Sequence, residues 1–360
     1  MAALRLVLLP ISWLFGLVLR IRHGLYDAGI FRTSEAAVPT IVVGNIALGG
    51  TGKTPHVELV LRTLLATTGP RETPPHVATL SRGYGRAGKD FHEVGPEDDS
   101  RLVGDEPLML KRKYSGARVF VGADRAAAVK EIVARLPDVQ AIVLDDALQH
   151  RAFKAGLYIA LTTWQKPWHR DYLLPAGHLR DIPHRAREAQ LVIVTKCPGL
   201  PTPKEQHHWR QRLRLRDAQA LYFSNLEYGP LRWASGQLGE VPSGPQTEAL
   251  VFGGIADPTL FEAEAARLFG KTYTMRFADH HRFKKEELQR MADVFHSFAH
   301  DRKILITTEK DAARLGRSLH VGPLAGLPVA VIDVRATILN EPYRFEAHIR
   351  AHVATHPTHR

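Results

Sequence analysis

The sequence predicts an α/β protein: a parallel sheet between two helical layers, forming a three-layer α/β/α core, followed by a second, smaller α/β/α domain. Three observations carry this. Short β-branched runs alternate with helical stretches along most of the chain. Ile41-Val42-Val43 and Ala141-Ile142-Val143-Leu144 are continuously apolar, as strands covered by helices on both faces require. The chain has 360 residues, more than one ordinary core holds, so two domains are expected. A composition of 44% apolar and 24% charged residues excludes bulk disorder and low-complexity architectures. A single cysteine, Cys197, excludes an intrachain disulfide framework and a cysteine-built metal cluster. Forty-eight Lys and Arg against 37 Asp and Glu leave a net charge of +11, which favours an anionic partner.

The elements follow in order. The uncharged stretch Leu6–Leu19 falls short of the roughly 20 residues of a membrane span and contains Pro10. Wound as a helix, it has a narrow polar stripe of Arg5, Ser12, Gly16, Arg20 and His23 and is otherwise Leu, Val, Ile, Trp and Phe. That pattern predicts a helix lying in a membrane interface over residues 1–28, with Arg20 and Arg22 reaching anionic headgroups. A first domain over 29–228 has strands at Pro39–Asn45, His76–Arg82, Arg118–Gly122, Ala141–Asp146, Leu157–Thr162 and Leu191–Lys196. Its helices are Pro55–Thr67, Asp105–Lys113 and Arg125–Arg135. Gly, Pro and Ser cluster from Gly229 to Gln246, which predicts a linker over 229–247. The second domain, 248–360, has strands Ala249–Gly253, Thr272–Phe277, Lys303–Thr308 and Val329–Val334 and helices Pro258–Phe269 and Lys284–Phe298, with a final helix packing back on the first domain. The tail histidines His348, His352, His356 and His359 read as a solvated basic end.

The sharpest chemical signal is Gly44-Asn45-Ile46-Ala47-Leu48-Gly49-Gly50-Thr51-Gly52-Lys53-Thr54 between a buried strand and a helix opened by Pro55. Glycines let successive backbone N–H groups turn inward on phosphate oxygens, so residues 47–54 form a P-loop and the core is of the P-loop NTPase type. Lys53 is placed to reach the β- and γ-phosphates, and the Thr54 hydroxyl to bind Mg²⁺. Ala47 stands where the strict pattern has glycine. The apolar strand ending in Asp145-Asp146 supplies the acidic partner that holds Mg²⁺. Thr195-Lys196-Cys197-Pro198 begins like a guanine-reading loop but has Pro198 in place of the aspartate, which favours ATP.

Asp105-Glu106 at a helix start are either charges complementing the helix dipole or a general base and a Mg²⁺ ligand. Asp279-His280-His281 after a strand is a candidate for acid–base or orienting work. Arg82, Arg125 and Arg180 recur beside turns near strand ends, suited to converge on an anionic substrate.

Together these segments resemble the tetraacyldisaccharide 4'-kinase family of lipid A biosynthesis. The resemblance runs from Leu4 to about His352 and includes Ser-Arg82-Gly-Tyr-Gly-Arg, Gly-Asp105-Glu-Pro, Asp145-Asp-x-x-Gln149-His150, Leu-Pro-x-Gly-x-Leu-Arg180-Asp181, Asp-His280-His and Thr307-Thr-Glu-Lys-Asp311. Ala147-Leu148 replaces the family's usual Gly-Phe, and Asp181 stands where glutamate is common. The resemblance implies an ATP- and Mg²⁺-dependent kinase that phosphorylates the 4'-hydroxyl of an acylated disaccharide 1-phosphate, giving lipid IVA. It implies Asp105 as catalytic base with His280, and Glu106, Asp145, Asp146, Arg180 and Asp181 in the active site. It further implies a peripheral monomer on the cytoplasmic face of the bacterial inner membrane, with an anionic membrane surface as partner and no nucleic acid. A P-loop metallochaperone would need no membrane helix. A nucleic-acid binder would need basic residues interleaved with aromatics, and Tyr84 is the one such spot.

Overall fold

The computed structural model describes residues 2–66, 76–235, 237, 239–255 and 257–356. Thr67 of a predicted helix, Gly236 and Leu238 of the predicted linker, and His359 fall outside them.

The chain opens with α1 (Ala2–Asp27), β1 (Ser34–Glu35), β2 (Thr40–Asn45), α2 (Lys53–Leu65), β3 (Val77–Ser81) and β4 (His92–Glu93). Then come α3 (Ser100–Val103), α4 (Asp105–Lys113), β5 (Ala117–Val121), α5 (Arg125–Arg135), β6 (Ala141–Asp145), β7 (Phe153–Lys154) and β8 (Leu157–Thr163). The middle holds α6 (Pro183–Ala186), β9 (Leu191–Thr195), α7 (Pro203–Leu213), β10 (Ala220–Trp233) and β11 (Gly244–Gly253). The last part is α8 (Thr259–Leu268), β12 (Phe269–Arg276), α9 (Lys285–His296), β13 (Lys303–Thr308), α10 (Glu309–Leu315), β14 (Val329–Ile338) and α11 (Pro342–Thr355).

Twelve strands form one sheet in the order β12-β11-β13-β14-β10-β9-β8-β2-β6-β3-β5-β4. Pairing is parallel within each half except for the antiparallel edge strand β4, and the halves join through the antiparallel β10–β14 pair. The alternation of side chains along β2 sends Ile41 and Val43 to one face and Val42 to the other, each into a separate apolar cluster. Helices α2, α4 and α11 cover the first face and α5 and α7 the second, which makes the three layers. The smaller half repeats the plan, with α9 on one face and α8 on the other.

The segment expected as a linker is strand at both ends. β10 continues to Trp233 and β11 starts at Gly244. Gly229 and Pro230 are absorbed by a register shift between Tyr228 and Leu231, opposite Val334 and Ile332. A side chain at Gly229 would press on Asp333, its Cβ 3.2 Å from that residue's Cβ. The turn-like composition therefore marks a bulge within a strand pair, and the sheet runs unbroken from one half to the other.

Phe345 on α11 is 1% exposed and sits in the cluster that also holds Val57 and Leu61 of α2. Phe345→Ala is expected to cost about 3–5 kcal/mol, as large-to-small changes in a packed core do. The check is a lowered urea midpoint at unchanged slope.

Candidate active site

The P-loop leaves β2 at the middle of the sheet. Positive φ falls on Gly49 (103°) and Gly52 (81°), which carry the turn. Ala47 instead forms a β-bridge with Leu179, so no glycine is needed at that position. The loop is braced from several sides. The Asn45 amide donates to Thr51 Oγ1 at 2.8 Å, and the Thr195 hydroxyl donates to the Thr51 carbonyl at 2.9 Å. His56, fully enclosed, donates from Nδ1 to the Gly52 carbonyl at 2.7 Å and meets the Ser224 hydroxyl at Nε2, 2.8 Å away. Burial pushes its pKa down to about 4, so it serves as a neutral strut. Leu48 donates its N–H to the His178 carbonyl at 2.8 Å. Gly49 and Gly50 are exposed, while Thr51 and Thr54 are buried.

Lys53 points at Asp146, Nζ to Oδ2 3.8 Å. Asp146 has a left-handed φ of 52°, an unusual conformation for a non-glycine residue, and is ion-paired with Arg180. Arg180 also donates to Asn45 Oδ1 at 2.8 Å. Asp145 is 5% exposed, and its Oδ1 has no hydrogen-bond partner. Burial, with Glu106 and Asp146 nearby, pushes its pKa up to about 7. A buried carboxylate whose Oδ1 has no partner, with Asp146 and Glu106 nearby, is an all-oxygen donor set that fits a hard divalent cation such as Mg²⁺.

The other half of the molecule completes the site. Asp105 Oδ2 lies 3.2 Å from His280 Nδ1 and accepts from Arg314 Nε at 2.9 Å and Nη2 at 2.5 Å. Burial raises the Asp105 pKa, but His280 and Arg314 outweigh it and hold the carboxyl far below its ordinary value. The hydrogen bond to Asp105 raises His280, whose φ of 57° is also left-handed. Glu106 pairs with Lys310. The Tyr84 ring stacks at 5.3 Å from that of His280, and Arg282 donates to the Gly85 carbonyl at 3.1 Å.

Among the expected site residues, Lys53, Asp145, Asp146, Glu106 and Arg180 come together around the P-loop, and Asp105 meets His280. Arg82 is exposed at the end of β3. Arg125 is 5% exposed; its Nη1 donates to the Gly122 and Ala123 carbonyls of its own turn, while its Nε is buried without a partner. Asp181 is 0% exposed, and its carboxylate accepts a hydrogen bond from His23 of α1 at 2.7 Å. Arg314 was not legible as a site residue, because it lies four residues past the Thr-Thr-Glu-Lys motif on a short helix that the strand pattern hid. His23 was read only as part of the narrow polar stripe of α1.

A buried ionic hub ties the halves together below the site. The Lys113 ammonium lies 2.6 Å from Glu58, 2.8 Å from Glu309 and 2.5 Å from Asp333. These three carboxylates are close enough to share a metal ion, but Lys113 occupies their centre. Tyr114 donates to Glu58 at 3.0 Å, and its phenol is pushed up to about 12 by burial and by Glu58.

Comparison with known proteins decides the family. The family model described as tetraacyldisaccharide-1-P 4'-kinase matches residues 4–354. The chain belongs to this family. It is therefore a kinase, and its place is in lipid A biosynthesis. Tetraacyldisaccharide 4'-kinase of Bacteroides thetaiotaomicron is 35% identical over 319 residues, 86% of this chain and 82% of that protein. The enzyme of the same name from Flavobacterium johnsoniae is 33% identical over 353 residues, 98% of each chain. The crystal structure of LpxK from Aquifex aeolicus in complex with ATP shares the fold, with a TM-score of 0.72, 24% identity and coverage of 97% of this chain and 99% of that one.

Two outcomes follow from this geometry. Lys113→Met strands three buried carboxylates and is expected to cost about 3–5 kcal/mol in urea unfolding. His280 has a raised pKa in the folded protein. Its contribution to stability is thus complete below its unfolded value, about 6.5, and is lost as pH rises through the higher folded value. The melting-temperature gap between wild type and His280→Ala should be widest near about pH 6 and close toward about pH 9.

Proposed function

We propose that this kinase transfers the γ-phosphoryl group of ATP to the 4'-hydroxyl of tetraacyldisaccharide 1-phosphate, giving lipid IVA, with Asp105 as the general base. The observation that carries this is the meeting of Asp105 and His280 across the two halves, opposite a P-loop whose lysine faces Asp146. Residues 47–54 enclose the triphosphate, with Lys53 on the β- and γ-phosphates. Thr54, Asp145, Asp146 and Glu106 hold Mg²⁺, which neutralises charge developing on the phosphate oxygens when bound. Arg180 keeps Asp146 in place. Arg82 and Arg125 line the approach for the anionic substrate, Arg82 being the more available.

A carboxylate held far below its ordinary pKa is a weak proton acceptor but a well-oriented one. That suits phosphoryl transfer, where the transition state is loose and the hydroxyl proton leaves late. His280 orients Asp105 and shares the proton as it moves. The pair is already made across the two halves before ATP and lipid bind, so the base is preset by the protein itself.

The seat at the membrane is part of the same reading. α1 is long and apolar enough to cross a membrane by length and composition, more than the sequence pattern alone indicated. Its polar residues dock on the protein along much of its length, however, while Leu6, Val7, Trp13, Leu14 and Val18 are each more than half exposed. This supports a helix lying in the plane of the cytoplasmic leaflet, where ATP is available, with the basic surplus facing anionic lipid.

Lys53→Ala is expected to remove roughly 10³-fold or more of the phosphoryl-transfer rate with the fold intact. Asp105→Asn and His280→Ala should each lower kcat by about 10²-fold or more, and the double variant should be little worse than the worse single one. Transfer of labelled phosphate from ATP to the purified disaccharide 1-phosphate measures all three. Normal kcat in Asp105→Asn removes it as the base.

A further inference from the structure

Within the polar stripe of α1, Ser12, Gly16 and His23 face the protein, while Arg5 and Arg20 are exposed. Ser12 and His23 are 3% and 5% exposed, whereas Leu6, Val7, Trp13 and Leu14 of the apolar side are exposed. All the inward contacts in question fall on one loop. The Ser12 hydroxyl donates to the Leu173 carbonyl at 2.9 Å and accepts from the Ala176 N–H at 3.0 Å. Gly16 lets the helix approach so closely that a Cβ there would stand 2.8 Å from the Leu173 side chain. His23 Nε2 donates to Asp181 Oδ1 at 2.7 Å, and the same oxygen accepts the Ile182 N–H at 2.8 Å.

The far side of that loop is the phosphate site. Leu179 bridges Ala47, the His178 carbonyl accepts the Leu48 N–H, and the Arg180 N–H donates to the Ile46 carbonyl at 2.8 Å. The Arg180 guanidinium, one residue from Asp181, holds Asn45 and Asp146. The loop is thus clamped between the apolar helix and the P-loop, and Asp181 is the residue by which the helix grips it.

We infer that His23 is a positioning residue: through Asp181 it fixes Arg180 and the 173–181 loop against the P-loop, so that the seating of α1 is coupled to the geometry of the phosphate site. Without His23, Asp181 would be a buried carboxylate lacking its side-chain partner. Such a group relaxes by moving toward water, and it would take Arg180 with it. The coupling needs no conformational switch, only a shared loop with two rigid neighbours. It deepens the proposed seat of α1 in the membrane plane, and it gives that helix a second role inside the enzyme.

The test uses the full-length protein and separates the two roles. Phosphoryl transfer is measured on detergent-dispersed substrate with varied ATP, and partition is measured on vesicles containing anionic phospholipid. His23→Ala should bind vesicles as the wild type does but lose about tenfold or more in kcat/KM for ATP. His23→Gln, which keeps a donor toward Asp181, should recover most of that loss. Leu14→Glu on the apolar face should do the reverse, losing vesicle binding while turning over dispersed substrate normally. Wild-type kcat/KM for ATP in a folded His23→Ala protein overturns the inference, as does failure of His23→Gln to recover. Where His23→Ala gives no cooperative melt, Ser12→Ala removes the second polar tether without burying a charge. A several-fold loss in the same constant supports the coupling, and an unchanged constant overturns it. Failure of the wild type to bind vesicles would remove the membrane reading alone, since the kinetic arm contains no bilayer.

Discussion

The geometry of the site depends on an ionic seam between α4 of the larger half and α10 of the smaller. Asp105 pairs with Arg314, Glu106 with Lys310 and Lys113 with Glu309, so α4 is held near its start and at its end. Each pair is partly or wholly buried, where an unpaired charge would be expensive. The seam therefore works less by adding net stability than by excluding other arrangements. A shift of one helix against the other by a single turn would strand several charges at once. Lys113 extends the constraint to α2 through Glu58, and α2 begins with the P-loop lysine. The phosphate loop and the acidic pair are thereby placed relative to each other by residues that need never touch substrate.

This arrangement explains why the Asp105 carboxylate is so acidic. Arg314 spends two nitrogens on the Asp105 oxygen that His280 also approaches. A free aspartate would be a somewhat better acceptor, but it would also be free to rotate. In a loose transition state the nucleophile needs orientation before it needs a strong base, and an oxygen fixed by three donors supplies that. Asp145 shows the opposite tuning a short distance away: it is buried without a partner and its pKa is pushed up to about 7, which fits a group waiting for a cation. Two carboxylates with opposite shifts thus mark two different tasks within one cleft.

Much of this was legible in the sequence. The continuous apolar runs of β2 and β6 and the Gly-Lys-Thr turn located the sheet and the phosphate loop, because burial on both faces and close backbone approach each leave a local signature. Asp105 and His280 were legible as a pair only through resemblance, since nothing local encodes a contact between residues 175 positions apart. Glycine and proline at 229 and 230 pointed to a linker because a bulge within a long strand uses the same residues as a turn. Arg314 and Lys113 left no trace as functional residues. A charged side chain on a short helix looks solvated until its partners, drawn from other elements, are known.

The N-terminal helix reverses the usual arrangement of an amphipathic helix on a protein surface. An amphipathic helix is ordinarily read with its apolar side on the protein and its polar side in water. Here Ser12, Gly16 and His23 are the protein-facing side, and Leu14 and Leu17 face outward. The inversion is intelligible once the outer medium is lipid. Apolar residues then have no preference for the protein interior over the surroundings, and specific docking must come from close packing at small residues and from polar contacts that lipid cannot offer. Gly16 against Leu173 supplies the first, and His23 on Asp181 and Ser12 on the 173–176 turn supply the second. A polar stripe narrow enough to look incidental in the sequence is therefore what fastens the helix to the loop beside the P-loop.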